Sequence, residues 1–142
     1  MFDTTYQPGK LEAVSYINGV EKKRFEIRTA GSGLKLVAQA DKDILKADGQ
    51  DLSYIMIALT DEDGTLNSAV DLKIAVAVEG AGTLQGFGSA DPKSIENFYD
   101  TKRTTFHGKI LAVVRAGMET GELCIIASCE CCENIRLKIK VE

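Results

Sequence analysis

The sequence contains no tryptophan, one histidine and two prolines among its 142 residues. A chain of this length can form one domain with a buried core, but a (β/α)₈ barrel needs roughly 250 residues and does not fit. Any Ser-His-Asp or Cys-His arrangement would have to use His107, which lies in a turn-like Phe-His-Gly-Lys segment. No G-x-S-x-G segment marks a nucleophile. We therefore expect His107 to be a turn residue, and paired carboxylates stay open because 21 acidic residues are present.

Long apolar runs and a basic surface are also missing. No run approaches the roughly 18 residues of a membrane-spanning helix. Residues 1–5 lack the basic and apolar segments of a signal peptide. The 17 lysines and arginines are outnumbered by 21 acidic residues, for a formal net charge of −4. This balance excludes a basic nucleic-acid footprint. We expect neither a membrane nor a nucleic acid as partner.

The four cysteines all lie close together near the C-terminal end of the sequence, at Cys124, Cys129, Cys131 and Cys132. Structural zinc sites usually combine two pairs of ligands from separate turns, and no second pair and no nearby histidine is present. We therefore expect four free thiols in a strand and its turn, without a metal or other cofactor. Four unpaired thiols favour a reducing, cytoplasmic compartment.

Short apolar-rich segments separated by Gly, Asp and Asn dominate the sequence. Several alternate with a period of two, as in Ile135, Leu137, Ile139 and Val141, which places one row in a core and the other in water. Nine such segments without amphipathic helices between them predict an all-β, antiparallel β-sandwich. The predicted strands cover residues 10–16, 22–28, 33–40, 52–61, 71–79, 83–87, 109–116, 122–129 and 135–141.

Turn residues punctuate these strands. Asn18-Gly19 predicts a tight hairpin between the first two strands, since both residues tolerate positive φ. The segment 61–64, Asp-Glu-Asp-Gly, predicts a turn, and it lacks the further ligands of an EF-hand calcium loop. Asp91-Pro92 has the form of a helix start and predicts one or two helical turns over residues 94–99.

Glycines and aromatic residues cluster in the later part of the chain. Gly80, Gly82, Gly86 and Gly88 do not have the spacing of a dinucleotide-binding loop and are typical of turns and a strand kink. The aromatic residues around the loop at 86–108 either pack that loop onto the sandwich or stack on sugar rings. In the second case the candidate carbohydrate-binding residues are Phe87, Asp91, Asn97, Phe98 and Tyr99.

An ordered set of short motifs resembles a known family. Residues 6–19 match Y-x-P-G-x-L-x-A-x-x-Y-x-x-G, and Thr29-Ala30-Gly31 follows. Residues 45–52 contain A-D-G-x-D-L, and the turns at 61–64, 78–82, 86–94 and 106–109 come in the same order. Together they resemble the C-terminal region of bacterial glycoside hydrolase family two enzymes, and most closely the β-galactosidase branch. Many relatives carry Asn-Gly-Asp-Pro where this chain has Ser89-Ala90-Asp91-Pro92, so no ligand role of that Asn carries over.

The resemblance implies a division of labour. In that family two glutamates on a (β/α)₈ barrel perform retaining hydrolysis. The barrel is absent from this chain, so the resemblance implies no catalytic residue here. Residues 1–30 would be the last strands of a preceding immunoglobulin-like domain or a linker hairpin. Residues 31–142 would be a complete C-terminal immunoglobulin-like sandwich with a non-catalytic, domain-packing role.

Three alternatives stay open beside this interpretation, because sandwiches host many functions. One is a carbohydrate-binding module that uses the loop at 86–108, one is a stand-alone adhesin-type sandwich, and one is a metal or redox protein built on residues 124–132. The expected partners are other domains of a parent enzyme, its catalytic barrel above all, with an oligosaccharide or a second copy of the chain as further candidates. For the parent, a periplasmic or secreted location is the alternative to the cytoplasm.

Overall fold

A computed structural model of the protein describes residues 5–142. The first four residues of the predicted N-terminal segment lie outside this range. Residues 5–142 form eleven strands and no helix, so no helix in this range is long and apolar enough to cross a membrane. The strands are β1 (Lys10–Ile17), β2 (Val20–Arg28), β3 (Lys35–Ala40), β4 (Ile44–Leu45), β5 (Leu52–Thr60), β6 (Lys73–Gly80), β7 (Gly82–Gly88), β8 (Lys102–Thr104), β9 (Lys109–Ala116), β10 (Gly121–Ser128) and β11 (Ile135–Val141).

Strands β3 to β11 form a two-sheet sandwich, and β1 and β2 form a separate hairpin. One sheet has the order β4-β11-β10-β6-β8 and the other has the order β3-β5-β9-β7. All pairings are antiparallel except the short parallel pairing of β4 with β11. The predicted all-β sandwich with an N-terminal hairpin is confirmed.

The core lies between the two sheets and follows the alternation in the sequence. Each strand turns every second side chain inward, as in β5, where Ile55, Ile57 and Leu59 are fully buried. The facing sheet contributes Leu123, Ile125, Ile139 and other side chains to the same cluster. Burying one such side chain contributes about 1.5–3 kcal/mol, so this interleaved layer is the main source of stability.

Two tight turns use residues with positive φ. Asn18 and Gly19, with φ of 51° and 77°, close the β1–β2 hairpin as predicted. His107 and Gly108 repeat this geometry with φ of 50° and 70°. There the Phe106 amide donates to the Lys109 carbonyl over 2.9 Å, and the Lys109 amide donates back over 3.2 Å. His107 is thus a turn residue that carries the chain from one sheet to the other.

The prediction of a helix over residues 94–99 is wrong. The segment is a series of turns in which short polar side chains take the backbone amides that a helix would need. The Asp91 carboxylate accepts from the Lys93 amide at 2.9 Å, and the Asn97 side chain accepts from the Tyr99 amide at 3.1 Å. The Phe98 carbonyl accepts from the Phe87 amide of β7 at 2.8 Å, which holds the segment against a strand.

The prediction of four free thiols is also wrong. Cys129 and Cys132 form a disulfide across the turn between β10 and β11, with their Cα atoms 5.8 Å apart. Cys124 and Cys131 are free. A tight turn brings residues three apart within disulfide range, which the spacing in the sequence did not reveal. Among residues 5–142, no group of three or more His, Cys, Asp and Glu side chains is placed to hold a metal ion.

Candidate functional site

The candidate residues lie on and beside the loop that joins β7 to β8. Phe87, near the end of β7, points into the sandwich and is only 1% exposed. Its ring packs in the core and does not reach the surface. Asp91 and Asn97 use their side chains to shape the loop, through the turn hydrogen bonds described above. Of these three candidates only Phe87 is buried, whereas Asp91 is half-buried and Asn97 is exposed.

Phe98 and Tyr99 form the exposed part of the candidate site. Phe98 is 60% exposed and Tyr99 is 83% exposed, and Ile95 on the same loop is fully exposed. The Phe98 ring lies against Gly88, where a Cβ atom would come within 2.3 Å of the ring edge. Only glycine therefore lets the ring rest on the outer side of β7. The loop presents two adjacent aromatic rings to solvent.

Arg103, which the sequence analysis did not single out, lies beneath this loop. It is the largest fully buried side chain of the described residues, with 1% exposure. Its guanidinium carbon is 4.5 Å from the centroid of the Phe98 ring, which is cation–π geometry. Its Nη2 donates to Ser94 Oγ at 3.3 Å. The three-residue strand β8 is too short for its alternation to mark an inward-pointing arginine.

Glu96 fastens the loop to β8 and balances the charge of Arg103. Its carboxylate accepts from the amide and from the hydroxyl of Thr104, both at 3.0 Å. One carboxylate oxygen also lies 3.4 Å from Arg103 Nε. The amide of Thr104 is the main cause that holds the pKa of Glu96 below its ordinary value, against the opposing effect of burial. The loop is thus held by an ionised carboxylate and a buried cation.

The β1–β2 hairpin is a second candidate surface, because its two faces differ in polarity. On one face Lys10, Glu12, Arg24, Glu26 and Arg28 form a network of ion pairs. Hydrogen bonds from Lys10 and then Arg28 lower the pKa of Glu26 to about 2. The ion-paired face is the one suited to water.

The opposite face of the hairpin is apolar. It is made by two cross-strand pairs, Leu11 with Ile27 and Ala13 with Phe25. Leu11, Phe25 and Ile27 are each more than half exposed. An isolated two-stranded hairpin is marginally stable in water, and an exposed apolar sheet face marks a site of contact. We name these four residues the apolar hairpin face.

A buried carboxylate anchors the junction between hairpin and sandwich. Asp61 accepts from the Gly31 amide at 2.7 Å and from the Thr65 amide at 2.8 Å. The Gly31 amide is the main cause of the lowered pKa of Asp61. An open cleft of about 600 Å³ lies beside this junction, between Tyr6, Leu11 and Thr29 on one side and residues 66–69 on the other.

Comparison with known protein families decides the classification. The model of the glycoside hydrolase family 2 C-terminal domain 5 matches residues 36–138. The chain belongs to this family. The match runs from β3 into β11, and the predicted resemblance to a family two C-terminal domain is confirmed.

One relative of this glycoside hydrolase family 2 domain matches beyond the sandwich, and another matches about half of the chain. The β-galactosidase BoGH2A of Bacteroides ovatus is 32% identical over 137 residues, which are 96% of this chain and 16% of that protein. A β-galactosidase of Thermoanaerobacter pseudethanolicus is 29% identical over 76 residues, which are 54% of this chain and 10% of that protein. The chain therefore spans about a sixth of the length of BoGH2A and about a tenth of the length of the second relative.

Solved structures agree with the fold. A glycosyl hydrolase family 2 member from Bacteroides cellulosilyticus superposes with a TM-score of 0.94 at 35% identity, covering 98% of this chain and 18% of that one. A β-glycosidase from Bacteroides vulgatus gives a TM-score of 0.88 at 21% identity, covering 96% and 18%. The D00-D0 domain of intimin gives 0.55 at 12% identity, covering 96% and 66%, which is a likeness of fold only.

Proposed function

We propose that this chain is a non-catalytic accessory region of a β-galactosidase-like family 2 enzyme. Residues 1–30 supply the last strands of a preceding immunoglobulin-like domain, and residues 31–142 form a C-terminal sandwich. The role is architectural: the region packs on neighbouring domains, including the catalytic barrel. The identity to BoGH2A across both parts of the chain supports this assignment.

The apolar hairpin face is the observation that carries the proposal. The hairpin separates an ion-paired face from an apolar one, as a strand pair does when it borders a core on one side. Burying Phe25, Leu11 and Ile27 in a neighbouring domain would stabilise the assembly by about 1.5–3 kcal/mol per side chain. The anchored junction at Gly31 and Asp61 gives the two parts a defined connection.

The first test compares this chain with the protein encoded by the complete reading frame. We expect no hydrolysis of a chromogenic β-galactoside by the 142-residue chain, and hydrolysis by the full-length protein. Turnover by the chain itself would contradict the proposal, as would a reading frame that encodes no further domain.

The second test concerns the hairpin. The double variant Phe25→Ser/Ile27→Ser should change the melting temperature of the 142-residue chain little, because both side chains are exposed there. In the full-length protein, loss of a buried Phe costs about 3–5 kcal/mol. The matched control is Glu12→Ser/Arg24→Ser on the ion-paired face of the same hairpin, where exposed ion pairs contribute little. An equal effect of both double variants on the full-length protein would count against the proposal.

Carbohydrate binding by the β7–β8 loop is a second candidate function. It is favoured by the two adjacent exposed rings of Phe98 and Tyr99 on a loop held by Arg103 and Glu96. Titration with galactosides, followed by amide shifts, should perturb the loop in the wild type and not in Tyr99→Ala. Absence of loop shifts at millimolar sugar would reject this candidate.

The cytoplasmic location stays a prediction that now rests on the two free thiols, Cys124 and Cys131, only.

A further inference from the structure

The two outer faces of the sandwich differ in chemistry. The outer face of the five-stranded sheet carries Lys73, Lys102, Glu122, Arg136, Lys138 and Lys140, all of them exposed. Charged side chains of both signs in this density are typical of a solvated surface. The outer face of the four-stranded sheet has a different composition.

The apolar part of that second face is continuous across three strands. Tyr54 of β5 pairs with Val113 of β9, and Met56 pairs with Leu111. Val37 of β3 pairs with Ala58 of β5 and extends the patch by another strand. We name the patch formed by these six residues the β5–β9 face. Tyr54 and Met56 are 47% and 42% exposed although β5 is an inner strand of the sheet, and Val37 on the edge strand β3 is 42% exposed.

Strand β7 leaves this face open. Gly86 and Gly88 stand opposite Val113 and Leu111 in the register. A Cβ atom on Gly86 would have no neighbour within 4 Å. The absence of side chains here keeps the surface flat beside Leu111 and Val113, up to the Phe98 ring over Gly88. A flat apolar surface of this kind is suited to another protein surface.

We propose that the β5–β9 face docks on another folded domain of the parent enzyme, one with an apolar centre and carboxylates at its margin. The inference rests on the proposed architectural role and names the surface that performs it. Lys109 and Arg115 lie on the same side of β9 as Leu111 and Val113, one at each end of the row. Neither makes an ion pair with another of residues 5–142. A partner with carboxylates at these two points would satisfy them.

The same charges disfavour a second copy of the chain. Pairing two β5–β9 faces would bring four cations together, from Lys109 and Arg115 of each copy, without a compensating carboxylate between them. A glycan is disfavoured because sugar sites need several polar groups beside an aromatic ring. Gln39, which pairs with Met56, and Gln85, whose amide donates to Thr83 Oγ1 at 2.9 Å, lie beside the patch. The six residues of the β5–β9 face themselves carry a single polar group, the Tyr54 hydroxyl.

Oxidation of Met56 by hydrogen peroxide measures whether the face is covered. The thioether becomes a sulfoxide, which peptide mass spectrometry quantifies, and the rate follows its exposure. We expect Met56 to react in the 142-residue chain and to react about tenfold more slowly in the full-length protein. Met118, which is 75% exposed, is the internal reference for reagent strength in both samples.

A pair of variants tests the same surface through stability. Met56→Glu should lower the melting temperature of the full-length protein more than that of the 142-residue chain. Ile126→Glu, which places the same charge on the outer face of the five-stranded sheet, should have equal effects in both. These variants keep the inference testable if Met118 is itself covered in the full-length protein.

The outcomes separate this inference from the proposed function. A full-length protein with a barrel in which Met56 reacts as fast as in the 142-residue chain overturns the docking surface only. A reading frame without further domains overturns both. Slow Met56 oxidation in a dimer of the 142-residue chain would assign the face to a second copy. Slowing by added galactoside would assign it to a glycan, and either result overturns the proposal.

Discussion

The guanidinium carbon of Arg103 lies 4.5 Å from the centre of the Phe98 ring, with the arginine buried and the phenylalanine exposed. Four further contacts tie the loop to β8: Arg103 contacts Ser94 and Glu96, and the amide and the hydroxyl of Thr104 both donate to Glu96. The exposed aromatic surface of the loop therefore depends on a cation that solvent does not reach.

Replacing Arg103 should loosen this loop and destabilise the domain. Arg103→Ala removes the buried stem as well as the charge and leaves Glu96 without its cation, so we expect a loss of about 3 kcal/mol in the free energy of unfolding. Arg103→Met, which keeps most of the packing, should cost about 1 kcal/mol. Urea unfolding gives both values. The neighbouring exposed Lys102→Ala is the control, and an Arg103→Ala effect no larger than that control would contradict the assigned role.

The acid dependence of stability should change in Glu96→Gln. The folded state lowers the pKa of Glu96, so its contribution is fully present above the ordinary value of 4.5. It is lost as the pH falls through the lower pKa of the folded state. The melting temperature of the wild type should therefore decrease more than that of Glu96→Gln when the pH is lowered from 5 to about 2. Parallel curves for the two proteins over this range would show that Glu96 does not contribute.

Two glycines separate backbone strain from steric collision. Gly108 and Gly64 both have positive φ, at 70° and 81°. A Cβ atom on Gly108 would lie 2.3 Å from the Asn67 carbonyl oxygen, whereas one on Gly64 would have no neighbour within 4 Å. Gly64→Ala should cost about 1–2 kcal/mol from the backbone conformation, and Gly108→Ala should cost more. Chemical denaturation of both variants measures the difference, and equal costs would refute the close approach.

The number of reactive thiols tests the disulfide. The unfolded chain without reductant should give two thiols, Cys124 and Cys131, and four after reduction. The chain-entropy model assigns about 2 kcal/mol to a loop this short, so Cys129→Ser should destabilise by that amount at most. Four thiols before reduction would show that the pair is open.

The strands with strong alternation were predictable from the sequence, and the shortest ones were not. Apolar and polar residues alternate from Ile135 to Val141, which shows which side chains face the core and which face solvent, and β11 covers this range. A period of two cannot be recognised in β4, which has two residues, or in β8, which has three. These strands form because β11 and β6 pair with them through backbone hydrogen bonds. Their own residues therefore do not predict them.

The candidate site was predictable only in part, for a related reason. The sequence left open whether the aromatic residues of this region pack the loop or face solvent. Phe98 and Tyr99 lie at the surface, whereas Phe87 belongs to the core. The Asp91-Pro92 signal predicts a helix, but the same carboxylate also caps turns, and the packing of the loop on β7 decides between the two. The buried position of Arg103 depends on the cross-strand pair with Ile74, which no local pattern records.

Seen as a mechanical part, the region has its fulcrum at Asp61. One carboxylate shapes the turn after β5 and also holds Gly31, where the hairpin leaves the sandwich. A rotation of the hairpin would therefore be transmitted to the end of the central strand β5, because this hydrogen bond restrains the connecting segment. In a multidomain enzyme such an elbow sets the angle between two modules, so a lengthened turn at residues 61–64 would redirect the whole hairpin.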